Sequence, residues 1–278
     1  MMEKANQSKV WFITGSSRGF GRIWTEAALQ RGDKVAATAR NVDSIADFKE
    51  KYGDNVLTLP LDVTQPTQVE SAVKAAHSHF GSLDIVINNA GYSLVATVEE
   101  AKAEDIRALY ETNVLGPVAV IQAVLPIMRK QGYGHILGTS SNLGHFVIPL
   151  IGYYCSSKWA FEAIHESLAT EVKPFGIKVT IIEPNAYATE FGSQESLKFS
   201  RNMPEYDKLK ESVWETLHQY ERGNPNATAA AILAVVDAPE PPLRLFLGRN
   251  NLEGISQTYN ERIKVWEEWQ DVAAAAQG

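Results

Sequence analysis

Short apolar runs alternate along this chain with longer stretches whose apolar residues recur at helical spacing. VWFIT, from Val10 to Thr14, reads as a strand and ends in the glycine-punctuated SSRGFG. The pattern around Ile23, Trp24, Ala27 and Ala28 reads as a helix, stopped at Arg31 and Gly32 as at a C-cap. KVAATA (Lys34 to Ala39) predicts a second strand and Asn41 to Lys51 a second helix. NVLTLPLDV gives a third strand, and Thr64 with Pro66 opens a third helix to about Phe80. LDIVINNAG is a fourth strand with its loop, and two helices lie either side of Asn113 between Ala103 and Met128. GHILGTSS is a fifth strand, and a long helix runs from Ile151 to Lys173. IKVTIIEP and LRLFLG complete the strands.

Strands alternating with helices of about 10–15 residues imply right-handed βαβ units and a parallel sheet covered on both faces. The expected fold class is therefore α/β: a single doubly wound Rossmann fold of about seven parallel strands. One domain is expected to span residues 1–278. The polar, partly helical stretch from Ala186 to Asn226 breaks the rhythm after a strand's carboxyl end, where such folds build a substrate lid. Residues 250–272 are expected to form a C-terminal surface helix that frays at AAAAQG.

Composition narrows the class without naming a function. A formal charge of −7 argues against nucleic acid or a basic membrane-facing patch as partner. The single cysteine, Cys155, excludes an internal disulfide and a multi-cysteine metal site. On the helix it points about 100° away from its neighbour Tyr154, as a packed and inert thiol. His77 and His79 lack a third ligand and read as surface residues. The polar leader MMEKANQSK has no signal-peptide pattern, and the apolar run from Val114 to Met128 is too short to span a bilayer. A cytoplasmic protein is expected.

The chemistry gathers between Ser141 and Lys158. Tyr154 and Lys158 stand one helical turn apart, so the ammonium is expected to lower a phenol pKa that is ordinarily about 10. Ser141, thirteen positions before Tyr154, completes the trio if the chain folds back. Such a group can move a proton to or from an oxygen while a hydride comes from elsewhere. TGSSRGFG, lying between a strand and a helix, suggests the source. Gly15 permits a tight turn, Gly19 lets a pyrophosphate approach the backbone, and Gly21 allows close helix packing, although a plain turn would use the same residues. The second strand ends Thr38-Ala39-Arg40 with no acid to hold ribose hydroxyls. Arg18 and Arg40 offer guanidinium groups to a 2′-phosphate instead, which favours NADPH/NADP+ over NAD(H), unless both are simply solvated.

TGSSRGFG, Leu61-Asp62-Val63, Asn88-Asn89-Ala90-Gly91, Asn113, and Ser141 with Tyr154-Cys-Ser-Ser-Lys158 resemble, as an ordered set, the short-chain dehydrogenase/reductase superfamily. The resemblance implies roles. Tyr154 would be the general acid/base, Ser141 would bond the carbonyl oxygen, and Lys158 would bind the nicotinamide ribose. Asn113 would hold a relay water. Ser17 and Phe20 belong to the phosphate loop. Asp62 and Val63 would hold adenine, Asn89, Ala90 and Gly91 would line the cleft, and Pro184, Tyr187 and Thr189 would face the nicotinamide. No metal is implied. Relatives are usually homodimers or homotetramers.

One position departs from the family pattern. Asn185 stands where glycine is usual, either substituting in left-handed backbone or reshaping the pocket. Ser93, Leu143, Asn185, Tyr187 and Phe191 are candidate substrate contacts. His145 is another, unless it is a surface hydrogen-bonding residue. The expected activity is reversible NADPH-dependent reduction of a small-molecule ketone or aldehyde to an alcohol. The alternatives are an NAD-linked dehydrogenase of hydroxysteroids, retinol-like alcohols or sugars, and a non-catalytic dinucleotide sensor.

Overall fold

The computed structural model describes residues 8–192, 196–249 and 251–278. The leader as far as residue 7, three positions of the expected lid (193–195) and position 250 lie outside them. Seven strands form one parallel sheet: β1 (Val10–Ile13), β2 (Lys34–Ala39), β3 (Val56–Pro60), β4 (Ile85–Asn88), β6 (Gly134–Thr139), β7 (Ile177–Pro184) and β9 (Arg244–Leu247). Their order is β3-β2-β1-β4-β6-β7-β9, so the chain reverses direction between β1 and β4. That reversal opens a crevice at the strands' carboxyl ends, where an α/β sheet binds its ligand. All seven expected strands are present, in the doubly wound arrangement that the alternation implied.

Period-two alternation along each buried strand feeds two cores. Phe12, Ala36, Val86, Ile136 and Val179 face α3 (Pro66–Phe80), α5 (Gly116–Gln131) and the far end of α6 (Gly152–Val172). Trp11, Ile13, Val35, Ile87 and Leu137 face the other way, toward α1 (Gly19–Gln30), α2 (Ala46–Tyr52) and α8 (Thr228–Asp237). The two deeply buried tryptophans each find a partner for the indole N–H: Trp11 donates to Asp33 at 2.8 Å and Trp24 to Thr228 at 2.9 Å.

Helix α4 (Ala103–Tyr110) runs into α5 through a wider π turn, Glu111–Leu115, which carries Asn113. Widened turns of this kind collect at functional sites. The continuous helix Ala103–Gln131 is long and apolar enough to cross a membrane by length and composition, longer than the apolar run alone suggested. Val120, Ile121, Val124 and Met128 are buried in the first core, so its apolar stripe is spent on packing.

Three elements lie outside the sequence expectation. α8 is one. The others are β5 (Ser93–Val95) and β8 (Leu197–Phe199), which pair in parallel to form a second, two-stranded sheet. Strands this short are too brief for their periodicity to register. α7 (Asp207–His218) follows, and α9 (Asn251–Glu268) with α10 (Gln270–Ala275) forms the tail. Ile136 is fully buried where α5 crosses the sheet. Ile136→Ala is expected to lower unfolding stability by about 2–5 kcal/mol, read as a lower denaturant midpoint with an unchanged slope.

Candidate active site

A cleft of about 1260 Å³ runs along the carboxyl ends of the strands, from Arg40 and Asp62 at one end to Tyr154 and Phe191 at the other. Its near end is the glycine turn. Gly15 and Gly19 both sit at positive φ, +74° and +54°. A Cβ on Gly21 would fall 2.2 Å from the Gly15 carbonyl oxygen, so only glycine allows α1 to start this close to β1. The turn is tied to the end of β4. Asn89 donates its side-chain amide to the carbonyls of Thr14 and Gly15, and the Thr14 hydroxyl accepts from the backbone of Asn89 and Ala90.

The far end is built by α6 and the loop after β6. Ser141 caps the turn Asn142–Gly144, its hydroxyl accepting from the Leu143 N–H at 3.2 Å. Tyr154 and Lys158 are both buried on α6. Lys158 Nζ donates to the Thr139 carbonyl at 2.7 Å and lies 5.7 Å from the centre of the Tyr154 ring. The Asn113 side chain is engaged on both sides: its amide donates to the Tyr92 carbonyl and Ser157 Oγ, and its oxygen accepts from the Tyr92 N–H. It thus clamps the loop after β4 to α6 and presents Gly91 beside Lys158. Leu150, just before α6, is held at φ +71°, a strained setting for a bulky residue.

Burial sets the electrostatics, and it corrects the expectation for Tyr154. Loss of water drives the phenol well above its ordinary value, opposed by a hydrogen bond from Ser141. The same desolvation pulls the Lys158 ammonium down to about 8, with Glu162 acting the other way. The ammonium bonds a carbonyl rather than the phenol oxygen, and burial outweighs the depression expected from Lys158, so the net direction is upward. Cys155 is buried and its thiol is raised by desolvation, in keeping with an inert packed residue.

The cleft brings together Ser141, Tyr154 and Lys158 with Gly15, Ser17, Arg18, Gly19, Phe20, Arg40, Asp62, Val63, Asn89, Ala90, Gly91, Pro184, Tyr187 and Thr189. Gly21 and Asn113 stand just behind its wall. Among the substrate candidates, Ser93, Leu143, Asn185, Tyr187 and Phe191 line it, and the Phe191 ring lies 5.7 Å from that of Tyr154.

Two residues depart from expectation. Asn185 does not adopt positive φ. Its side chain accepts from Asn142 at 3.0 Å and donates to the Arg249 carbonyl at 3.2 Å, bracing the Ser141 loop against the chain after β9. His145 is neither a cleft residue nor a surface one. It is buried behind the loop, bonded to Glu183 at 2.8 Å and to Tyr259 at 3.0 Å.

Sequence reasoning missed Glu190, whose carboxylate accepts from the Gly19 N–H at 3.1 Å. It also missed Glu100, which fixes the lid to the body. Buried Glu100 accepts from the backbone of Thr97 and Met203 and pairs with Lys210 at 2.6 Å. A lone glutamate before a lid carries no pattern that could have marked either role.

The family model for short chain dehydrogenase matches residues 9–198. The chain belongs to the short-chain dehydrogenase/reductase superfamily. Oxidoreductase BOA17 of Botryotinia fuckeliana (strain B05.10) is 39% identical over 273 residues, covering 97% of this chain and 99% of that one. A short-chain dehydrogenase from Streptomyces avermitilis superposes with a TM-score of 0.89 at 33% identity, over 98% of this chain and 99% of the other. An alcohol dehydrogenase from Thermococcus sibiricus, complexed with 5-hydroxy-NADP, gives 0.72 at 28% identity over 87% and 96%. This chain is accordingly an oxidoreductase of that superfamily.

The residues of this dehydrogenase fit a nicotinamide dinucleotide. The backbone N–H of Gly19, at the start of α1, already holds an anion in the form of the Glu190 carboxylate, where a pyrophosphate oxygen has the same chemistry. Gly21→Ala forces the turn to move. The dissociation constant for the cofactor is expected to rise at least about tenfold, or ~1.4 kcal/mol, in a cofactor-fluorescence titration. Unchanged affinity would show that the turn is not the cradle.

Lid docking carries its own pH dependence. Desolvation alone would raise the Glu100 carboxyl, yet bonds from Lys210, Met203 and Thr97 hold it at about 2, below an ordinary 4.5. A depressed carboxyl stabilises the folded arrangement above its unfolded value and loses that contribution as pH falls toward the folded one. Limited proteolysis of the segment 200–222 is therefore expected to accelerate between about pH 4.5 and 2, and Glu100→Gln should show faster cleavage at neutral pH.

Proposed function

We propose that the protein reduces a ketone or aldehyde to an alcohol at the expense of NADPH, and runs the reaction backward as an alcohol dehydrogenase. One arrangement carries this reading. Ser141, Tyr154 and Lys158 meet at one end of a single cleft whose other end offers Arg18 and Arg40, with no acid at the end of β2. The Thermococcus enzyme, complexed with an NADP derivative and described as an alcohol dehydrogenase, supports both halves.

Arg18 and Arg40 would hold the 2′-phosphate, the glycine turn the pyrophosphate, Asp62 and Val63 the adenine, and Thr189 and Lys158 the nicotinamide half. The bound nicotinamide supplies the hydride. The chain's own contribution is orientation and a proton. The Ser141 hydroxyl fixes the carbonyl oxygen, and Tyr154, kept neutral by burial, gives it the phenolic proton. The phenolate left behind is stabilised by Ser141 and by the Lys158 ammonium one turn along α6. Asn113 would hold the water through which the proton is replaced.

Substrate choice falls to the lid and its neighbours. Val95, Phe146, Phe191, Leu197, Trp214 and Leu217 give the outer cleft an apolar wall. A hydrophobic ketone, aryl or long-chain, matches it.

The deciding experiment follows NADPH consumption across aliphatic, aryl and steroid ketones. Tyr154→Phe is expected to reduce turnover by about 10²–10⁴-fold with NADPH affinity nearly unchanged. Continued reduction at the original rate would overturn the mechanism. Arg40→Ala should raise the KM for NADPH about tenfold or more, ~1.4 kcal/mol, and leave that for NADH in place. A preference of the unaltered protein for NADH would reverse the assignment of the two arginines.

A further inference from the structure

Behind the Ser141 loop lies a buried ionic chain that the proposed reaction does not use. Glu162, one turn beyond Lys158 on α6, accepts from Ser140 Oγ and pairs with Arg244 of β9 at 2.7 Å. The same guanidinium bonds Glu183 of β7 at 2.6 Å and exposed Glu166 at 2.9 Å. His145 bonds Glu183 through Nε2 and the Tyr259 hydroxyl of α9 through Nδ1. His145, Glu162 and Glu183 place possible ligand atoms within 4.8 Å of one another, but Arg244 bonds both carboxylates and fills the place a cation would take.

The chain needs explaining, because burying two carboxylates, Glu162 and Glu183, costs several kcal/mol per ion unless the geometry compensates. Space has been kept for it. A Cβ on Gly144 would fall 1.7 Å from a Glu162 oxygen, so the loop after Ser141 carries glycine where the carboxylate packs. The side chain of Glu162 is fixed from three sides, by Ser140, Gly144 and Arg244. It stands at i+4 from Lys158, on the same helix face.

We propose that Glu162 is a positioning residue for the proton chemistry: its buried carboxylate favours the charged form of Lys158 that the Tyr154 phenolate needs, while Ser140 and Arg244 offset the cost of burying the Glu162 charge. This rests on the reading of Tyr154 and Lys158 as the acid and its partner. Lys158 is under strain in that role. Among the described residues its hydrogen-bond acceptor is the neutral Thr139 carbonyl, and loss of water pulls the ammonium down to about 8. Glu162 supplies the opposing attraction; burial pushes its own carboxyl up, and the bonds from Ser140 and Arg244 work against that.

The other ionisable groups packed around the pair are accounted for. His165 on α6 is held neutral by burial, at about 4. Tyr154 is neutral for the same reason. Glu183 on β7 and Glu166 on α6 share Arg244 with Glu162. His145 on the loop and Tyr259 on α9 are bonded to each other and to Glu183.

The test uses the cofactor-free protein and then the reaction. The Lys158 amine is titrated by NMR in lysine-labelled protein, assigned with Lys158→Arg, in the unaltered chain and in Glu162→Gln, which keeps the size and the bonds to Ser140. The expected result is a downward displacement of about one pH unit, a tenfold stronger acid, with the alkaline fall of the pH–rate profile moving by the same amount. Glu162→Asp, which keeps the charge, should move both by less than half as much. Glu166→Gln, which removes only the exposed arm of Arg244, should leave them in place.

A Lys158 titration that is identical in Glu162→Gln and the unaltered chain overturns the proposal. If Glu162→Gln does not fold, the carboxyl resonance of Glu162 in the unaltered chain decides. An inflection coincident with that of Lys158 supports the coupling, and none overturns it. The titration requires no substrate. Absence of ketone reduction therefore bears on the proposed reaction, and an unmoved titration bears on Glu162.

Discussion

A buried ammonium governs the design of this dehydrogenase. Lys158 sits inside the protein beside a phenol, where the charged form of either group is disfavoured. Keeping it useful requires an acceptor, a counter-charge and a fixed helix. Thr139 at the end of β6 is the acceptor, and Glu162 lies one turn along α6. The helix is fixed by Asn113, which joins the π turn to Ser157 and to the loop after β4. The supports come from the end of β6, from α6 itself and from the π turn before α5, so three separate elements meet at Lys158. Desolvation also disfavours ionisation of the Tyr154 phenol.

The opposite end of the cleft follows a contrasting principle. It uses no fixed charge on the backbone that meets the phosphates, only N–H groups made available by a turn that two positive-φ glycines and Asn89 hold open. An amide left bare there would lack a partner, and Glu190 of the segment after β7 supplies one. The carboxylate belongs to the chain stretch that also carries Thr189 and Phe191. An anion that takes its place at Gly19 must displace the Glu190 side chain, part of the stretch that also lines the cleft with Thr189 and Phe191.

The parts of this architecture legible in the sequence are those with short-range signatures. Strands buried on both faces are continuous apolar runs, the glycine turn has a fixed spacing, and Tyr154 and Lys158 share a helix face by arithmetic. Sequence spacing could not weigh desolvation against a neighbouring charge, so the direction of the Tyr154 shift was misjudged although the pair itself was found. His145 was misplaced because a loop histidine looks the same whether it faces a cleft or a buried glutamate. Its partners, Glu183, Arg244 and Tyr259, arrive from β7, β9 and α9. Asn185 was read either as a glycine substitute or as reshaping the pocket; it lines the cleft without positive φ, and its side chain bonds Asn142 and Arg249. Pairings between residues remote in the chain, such as β5 with β8, leave no local period to detect.

The lid is attached in a way that separates specificity from chemistry. Its β8 strand pairs with β5, Ser93 donates its N–H to the Ser196 carbonyl, and Arg201 reaches the carbonyls of Glu99 and Glu100. With the Glu100–Lys210 pair, these bonds anchor the lid to the segment after β4 rather than to α6. Substitutions at Leu197, Trp214 or Leu217 can therefore reshape the apolar wall without disturbing the supports of Lys158. Phe191 is the exception, since its ring lies against Tyr154 while its chain continues from Glu190. A displacement of the stretch that carries Glu190 would therefore move a wall residue that lies against the Tyr154 ring.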